Sequence, residues 1–211
     1  MNPDFSLYPI CDTDIWVNLC LGDLLPRLFR KYQKLIIADV VEGEILAWGN
    51  GGHFTFIAEE FKQHKNCGNI FVLEHEVHIN PEDRTVLEQV LFDLGFKYDF
   101  KNNPRETNKG EFVSAIYADH FQIPFMKTND NAFQESGNGA KEFPDLIIKN
   151  WYEVIEELVS DPRERIAIRK KVDAENKRMV HHNHKYKEER GKEVMLQKLS
   201  SLAGKFNNKR L

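Results

Sequence analysis

Four acidic residues, Asp12, Glu44, Glu111 and Asp130, stand at the edges of apolar segments spread over the first 130 residues of the chain. Carboxylates far apart in sequence, each just past a strand or on the first turns of a helix, are how an α/β fold assembles a divalent-cation site. Asp12 follows the run YPIC, and Asp130 follows FMKTN. Glu111 opens a helical pattern whose Val113, Ala115, Ile116 and Ala118 must face inward, and Glu44 lies beside Val40, Val41 and Ile45. A charge that close to an apolar face is costly unless something neutralises it. Mg²⁺ or Mn²⁺ would do so, because hard cations take carboxylate oxygens and water, and an all-carboxylate set suits them better than zinc. Taken singly, each of the four is an ordinary helix cap or surface acid, and a chain with 33 acidic residues supplies such positions by chance.

The elements that must position these acids alternate between short β-type runs and helical patterns, the sequence form of repeated βα units and a parallel sheet. Strands are expected over 7–11, 35–38, 70–73, 124–127 and 146–149. Helices are expected over 15–25, 40–48, 54–65, 82–94, 108–121 and 151–159, where apolar residues recur at helical spacing. In an open α/β sheet, ligands bind beyond the carboxyl ends of the strands, at the point where strand order reverses. If the first and fourth strands are neighbours there, Asp12 and Asp130 face one pocket. The stretch 95–107, with Asn102, Asn103 and Pro104, is the longest without a periodic pattern and is expected to be a mobile loop near the site.

Charge divides the chain. Residues 1–160 carry 14 Lys and Arg against 26 Asp and Glu, net −12, whereas residues 161–211 carry 15 against 7, net +8. Two regions follow: a domain over 1–160 and a basic helical extension over 161–211. Such asymmetry points either to a polyanion partner or to a solvated charged helix. In the extension, Arg169, Lys170, Lys171, Lys177, Arg178, Lys185 and Lys187 could contact phosphates and make binding salt-dependent. Met195, Leu199, Leu202 and Phe206, supported by Leu196 and Ala203, form an apolar stripe that must dock on the body or on another chain. That other chain would be a second copy or an inhibitory protein. His181, His182 and His184 read as exposed histidines that bind nothing. Cys11, Cys20 and Cys67 lack metal-ligand spacing and read as free thiols in a reducing compartment. No secretory leader or membrane span is evident, so a soluble cytoplasmic protein is expected.

The wording around each acid is more specific than its position. ICDTDIWVNL resembles the opening of the PIN-domain ribonucleases, a hydrophobic strand ending in Asp-Thr-Asn/Asp before an apolar helix. LIIADVVEGEIL resembles their second element, NKGEFVSAIYA their Gly-Glu helix, and FMKTNDNAF their strand ending in Thr-x-Asp; FPDLIIKNWYEVIEEL is similar to their closing strand and helix. The resemblance covers about residues 7–155 and implies a three-layer fold, a central parallel sheet of about five strands between helices. It implies that Asp12, Glu44, Glu111 and Asp130 bind metal, with Thr128 and Ser114 as small hydroxyl residues near the site. Asp14 stands where Asn is commoner, as a supporting acid or a helix cap, and Glu42 rivals Glu44. The segment between Glu44 and Glu111 is longer than in compact toxin-type members, which have no counterpart of the basic extension.

The activity so implied is divalent-metal-dependent hydrolysis of RNA phosphodiester bonds, toxin-like, with an antitoxin-like protein as a candidate partner. Two alternatives remain open. Asp12-Thr13-Asp14 after a strand also fits a haloacid-dehalogenase-like phosphatase, with Asp12 as nucleophile and Asp14 as general acid; that reading also needs a downstream lysine and a strand-end acidic pair, for which Lys127 and Asp130 are poor substitutes. A non-catalytic PIN-like module binding RNA or protein is the other.

Overall fold

The computed structural model describes residues 3–97, 99–100, 106–134, 137–182 and 195. Five strands, β1 (Ile10–Cys11), β2 (Leu35–Ala38), β3 (Ile70–Leu73), β4 (Met126–Lys127) and β5 (Ile148–Lys149), form one sheet in the order β3-β2-β1-β4-β5. Every pairing is parallel, with Ile10 opposite both Ile36 and Met126, and Cys11 opposite Lys127. A parallel sheet covered by helices has no face to offer water, which is why LIIA and IFVL are nearly continuous apolar runs. β2 is buried at all four positions and β3 at three.

Nine helices with described ends surround the sheet: α1 (Thr13–Leu21), α2 (Leu25–Tyr32), α3 (Asp39–Ala47), α4 (Phe56–Asn66), α5 (His75–His78), α6 (Pro81–Asp93), α7 (Lys109–His120), α8 (Asn138–Glu142) and α9 (Trp151–Leu158). Residues 162–182 are also helical. α7 packs on β1, β2 and β4, α4 on β3, and α9 on β5. Trp16 of α1 is fully buried, edge-on to Phe61 at 5.6 Å, with its indole N–H donated to the Ile57 carbonyl at 3.2 Å. That bond satisfies the polar handle of a side chain that otherwise fills the core.

Three sequence expectations are corrected in detail. The first strand begins at Ile10, because Phe5–Leu7 winds into a 3-10 turn capped by Asp4, whose carboxylate accepts the Ser6 N–H at 3.1 Å. The helix expected over 15–25 is two helices. Asp23 adopts the left-handed conformation (φ +54°) and Pro26 sits in the first turn of α2, where its missing N–H costs nothing. α5 and α8 are too short to show a period. Of the expected loop 95–107, residues 98 and 101–105 lie outside the described residues. The rest is tied down: Phe100 stacks on His75 at 3.9 Å, and buried Lys109 pairs with Asp99 and Glu106 at 3.0 Å each.

The chain falls into two compact units, Met1–Val172 and Asp173–Leu211. The first runs past residue 160 because the start of the following helix packs on α1 and α2. Val172 is buried, Ile168 and Val172 close over Gly22, and Arg27 forks onto Glu164 at 2.7 and 3.1 Å. In the second unit, residues 173–182 are mostly exposed, with Arg178 paired to Glu175 at 2.8 Å. Met195 is helical and exposed. Leu196, Leu199, Leu202, Ala203 and Phe206 lie outside the described residues, as do His184, Lys185 and Lys187. Among the described residues, no helix is long and apolar enough to cross a membrane.

Candidate functional site

β2 and β3 extend the sheet to one side of β1, and β4 and β5 to the other, so strand order reverses between β1 and β4. Asp12 leaves the carboxyl end of β1 and donates its N–H to the Lys127 carbonyl of β4 at 3.1 Å. Thr128 and Asp130 leave the same end of β4. The crevice at such a switch point is where open α/β sheets bind ligands.

Each acid is held by a local device. Asp12 is the N-cap of α1, its Oδ1 accepting the Ile15 N–H at 3.0 Å. Its side chain is 1% exposed, and among the described residues Oδ2 meets no donor at bonding geometry, the nearby Thr128 hydroxyl included. Thr13 donates its hydroxyl to Glu44, which fixes that carboxylate on α3. Gly110 eases this: a Cβ there would stand 3.0 Å from Glu44 Oε1 and 3.1 Å from Val41 Cγ2, so a larger residue would push on the Glu44 carboxylate and Val41. Glu111 and Ser114 share a face of α7, three residues apart. Ser114 is fully buried, and its hydroxyl has no partner among the described residues. Asp130 Oδ1 accepts the Ala132 N–H at 2.7 Å and the Asn108 side-chain N–H at 3.4 Å, while its own N–H goes to buried Thr128 Oγ1 at 3.1 Å.

These carboxylates feel one another. Burial pushes Asp12 well above the usual carboxylate range; the Thr128 hydroxyl and Ile15 N–H oppose it, while Glu111 and Asp14 add repulsion. Burial raises Glu111 to about 7, with Glu44, Asp130 and Asp14 contributing. Glu44 is raised by burial and Asp14, with the Thr13 hydroxyl opposing, and Asp14 is raised by burial and Asp130. Among the described residues, no Lys, Arg or His forms an ion pair with any of the five. Mutual repulsion without a counter-charge is the electrostatic condition a bound cation would relieve.

The donor chemistry therefore fits a hard cation, and the buried, unpartnered Asp12 Oδ2 is the oxygen left over for one. Among the described residues, however, no three His, Cys, Asp or Glu side chains converge closely enough to hold an ion between them. A hard cation that keeps several waters and binds through one or two carboxylates would suit such a set. Asp12 and Glu111, the more strongly raised pair, are the candidates for holding it.

Several candidate residues are placed elsewhere. Glu42 pairs with Lys65 of α4 at 2.6 Å, one step round α3 from Glu44 and on a different neighbour. Lys127, the lysine a phosphatase would use, has Nζ 3.4 Å from Glu157 and within 5 Å of the Tyr32 and Phe125 rings. In the extension, Arg169 lies 3.5 Å from Glu156 and over the Tyr152 ring, and Lys171 pairs with Asp23. Lys170 and Lys177 are exposed, as are His181 and His182. The three cysteines are free, Cys11 and Cys20 buried and Cys67 exposed.

Asp39, absent from the sequence-derived set, also stands at the carboxyl edge, just after β2. Its carboxylate accepts the His75 N–H at 3.0 Å, the Val40 N–H at 2.9 Å and the Tyr117 hydroxyl at 3.2 Å. So saturated, it serves to join α3, α5 and α7. The signal was the one that selected Asp12, an acid immediately after an apolar strand. No family model, curated protein or solved structure matches the chain.

Proposed function

We propose that this chain is a divalent-metal-dependent ribonuclease of the PIN type, with a three-layer fold and its active site at the β1/β4 switch point. The observation that supports it best is the electrostatic coupling of Glu111 with Glu44, Asp130 and Asp14, and of Asp12 with Glu111, acids from four separate segments, beside an Asp12 oxygen that is buried and has no partner among the described residues. The parallel five-strand sheet flanked by helices agrees with what the motif resemblance implies.

In this reading Asp12, oriented by the Ile15 N–H, offers Oδ2 to a Mg²⁺ or Mn²⁺ ion, and Glu111 offers the second carboxylate. When bound, such a cation supplies water activation and positive charge beside the phosphoryl oxygens. Glu44, steadied by Thr13, and Asp130, steadied by Ala132 and Asn108, orient the surrounding water through their free oxygens. Glu111, raised to about 7 by burial and by Glu44, Asp130 and Asp14, would hold a proton for part of the time near neutral pH and would be the ionised carboxylate once a cation is held there. Thr128 is a buried neutral hydroxyl that accepts the Asp130 N–H, and Ser114 a buried hydroxyl three residues on from Glu111 in α7.

The test is incubation with labelled single-stranded RNA and DNA in Mn²⁺ or Mg²⁺, alongside Asp12→Asn and Asp130→Asn. Cleavage of RNA by the parent, lost in both variants, is expected. Trapping of a phospho-aspartate on Asp12, or cleavage that survives both substitutions, would overturn the reading.

A further inference from the structure

Resting on the nuclease reading, we propose a second anion site: the cleft between α2 and α9 binds a backbone phosphate of the nucleic acid, away from the carboxylates. The cleft has a volume of about 470 Å³ and is lined by Arg27, Arg30, Lys31, Glu157, Ser160 and Glu164, among others. It lies at the far end of the sheet from the candidate active site. α2 ends at Tyr32, just before β2 begins, and α9 leaves the carboxyl end of β5 and runs back to Leu158.

The need for such a site follows from charge. The unit Met1–Val172 carries 19 Lys and Arg against 28 Asp and Glu, net −9, and five of those acids crowd the switch point. A polyanion approaching the carboxylates is repelled, so its affinity must come from cations gathered elsewhere. Segment 25–34, LPRLFRKYQK, holds four cations and no acid. Arg30 is exposed and takes part in none of the described ion pairs. Among the described residues, Lys31 Nζ meets the Glu157 carbonyl at 3.3 Å and the Tyr32 ring at 5.6 Å.

The two acids of the cleft do not cancel it. Glu164 is taken by the fork of Arg27. Glu157 accepts from Tyr32, from Lys149 and from fully buried Lys127 at 3.4 Å. Five cations thus stand in or beside the cleft against two acids, and Arg30 and Lys31, both exposed, take part in no ion pair among the described residues. Guanidinium and ammonium groups side by side suit a phosphodiester, the first by paired N–H donors and the second as a point charge.

Fluorescence anisotropy with a short labelled single-stranded RNA, in chelator so that nothing is cut, tests this with Arg30→Glu/Lys31→Glu against the parent and the remote control Lys141→Glu. Circular dichroism first establishes that each variant folds. The expected result is a loss of affinity of about tenfold or more in the double variant alone. Its log Kd against log salt slope should fall by about 0.7, the single-strand value for one lost phosphate contact. An unchanged affinity and slope, an equal loss in Lys141→Glu, or a parent that binds no RNA would overturn the proposal. So would displacement of the RNA by inorganic phosphate at matching phosphate concentration, which would assign the cleft to the free ion. RNA held through Arg30 and Lys31 but never cut with Mn²⁺ present would overturn the nuclease reading and leave the cleft standing.

Discussion

Replacing Glu111 with Gln should stabilise the cation-free protein, and only above mildly acidic pH. Burial and the carboxylates of Glu44, Asp130 and Asp14 raise Glu111 from 4.5 to about 7 in the folded state. A carboxyl whose folded value is raised binds more protons folded than unfolded between those limits, so stability falls as pH rises through that window. The penalty is absent below pH 4.5, grows through pH 6, and levels off above 7. Its full size is about 3 kcal/mol, from about 1.4 kcal/mol per pH unit. Gln is isosteric and uncharged, so the variant escapes the penalty. For a chain of this size, about 2–4 °C per kcal/mol translates this into a melting advantage of about 10 °C at pH 8. At pH 4.5 the advantage should vanish. Thermal melts of parent and variant in chelator, from pH 4.5 to 8.5, read the gap directly. A gap independent of pH, or a variant less stable at pH 8, would refute the claim that Glu111 sits among unneutralised carboxylates.

Gly110→Ala would ordinarily add about 1 kcal/mol to a helix, but its Cβ would press on Glu44 and Val41. We expect Mn²⁺ affinity and RNA cleavage to fall while the melting temperature changes little; unchanged activity would show that the position of Glu44 is immaterial. Glu157→Gln leaves the buried Lys127 ammonium without its counter-charge and should cost roughly 3 kcal/mol in urea unfolding. The loss should shrink at high pH, because Lys127, lowered by burial to about 8, then sheds its proton; a pH-independent loss would exclude this cause. Removing residues 173–211 should weaken RNA binding and flatten its salt dependence, and an unchanged slope would exclude phosphate contacts by Lys177 and Arg178. The cut belongs at 173, since a cut at 161 would also strip Val172 and the Arg27–Glu164 fork from the body.

What the sequence made legible was whatever strand ends and helical periods encode. β2 and β3 were readable to the residue, because strands buried at four of four and three of four positions leave unbroken apolar runs. Asp12 and Asp130 were identifiable as strand-end acids, but that their strands are adjacent depends on topology. Glu42 and Glu44 could not be separated from helical spacing: the choice is made by Lys65 of α4, which takes one, and by Thr13 and Gly110, which position the other. α2 escaped notice because its apolar residues continue the pattern of α1, although Gly22, Asp23 and Pro26 marked the break. Asp39 was missed because its partners, His75 and Tyr117, lie far along the chain. The lateness of the body's end had the same origin, since Val172 is buried only by residues near Gly22.

Whether the coupled carboxylates of Asp12 and Glu111 take up a divalent cation is read by titrating the protein into Mn²⁺ and following the free ion by electron paramagnetic resonance. The parent should deplete the free signal, and that depletion should be markedly lost in Asp12→Asn and Glu111→Gln, both still folded. A parent that leaves the signal unchanged, or an Asp12→Asn variant that binds as the parent does, would contradict it.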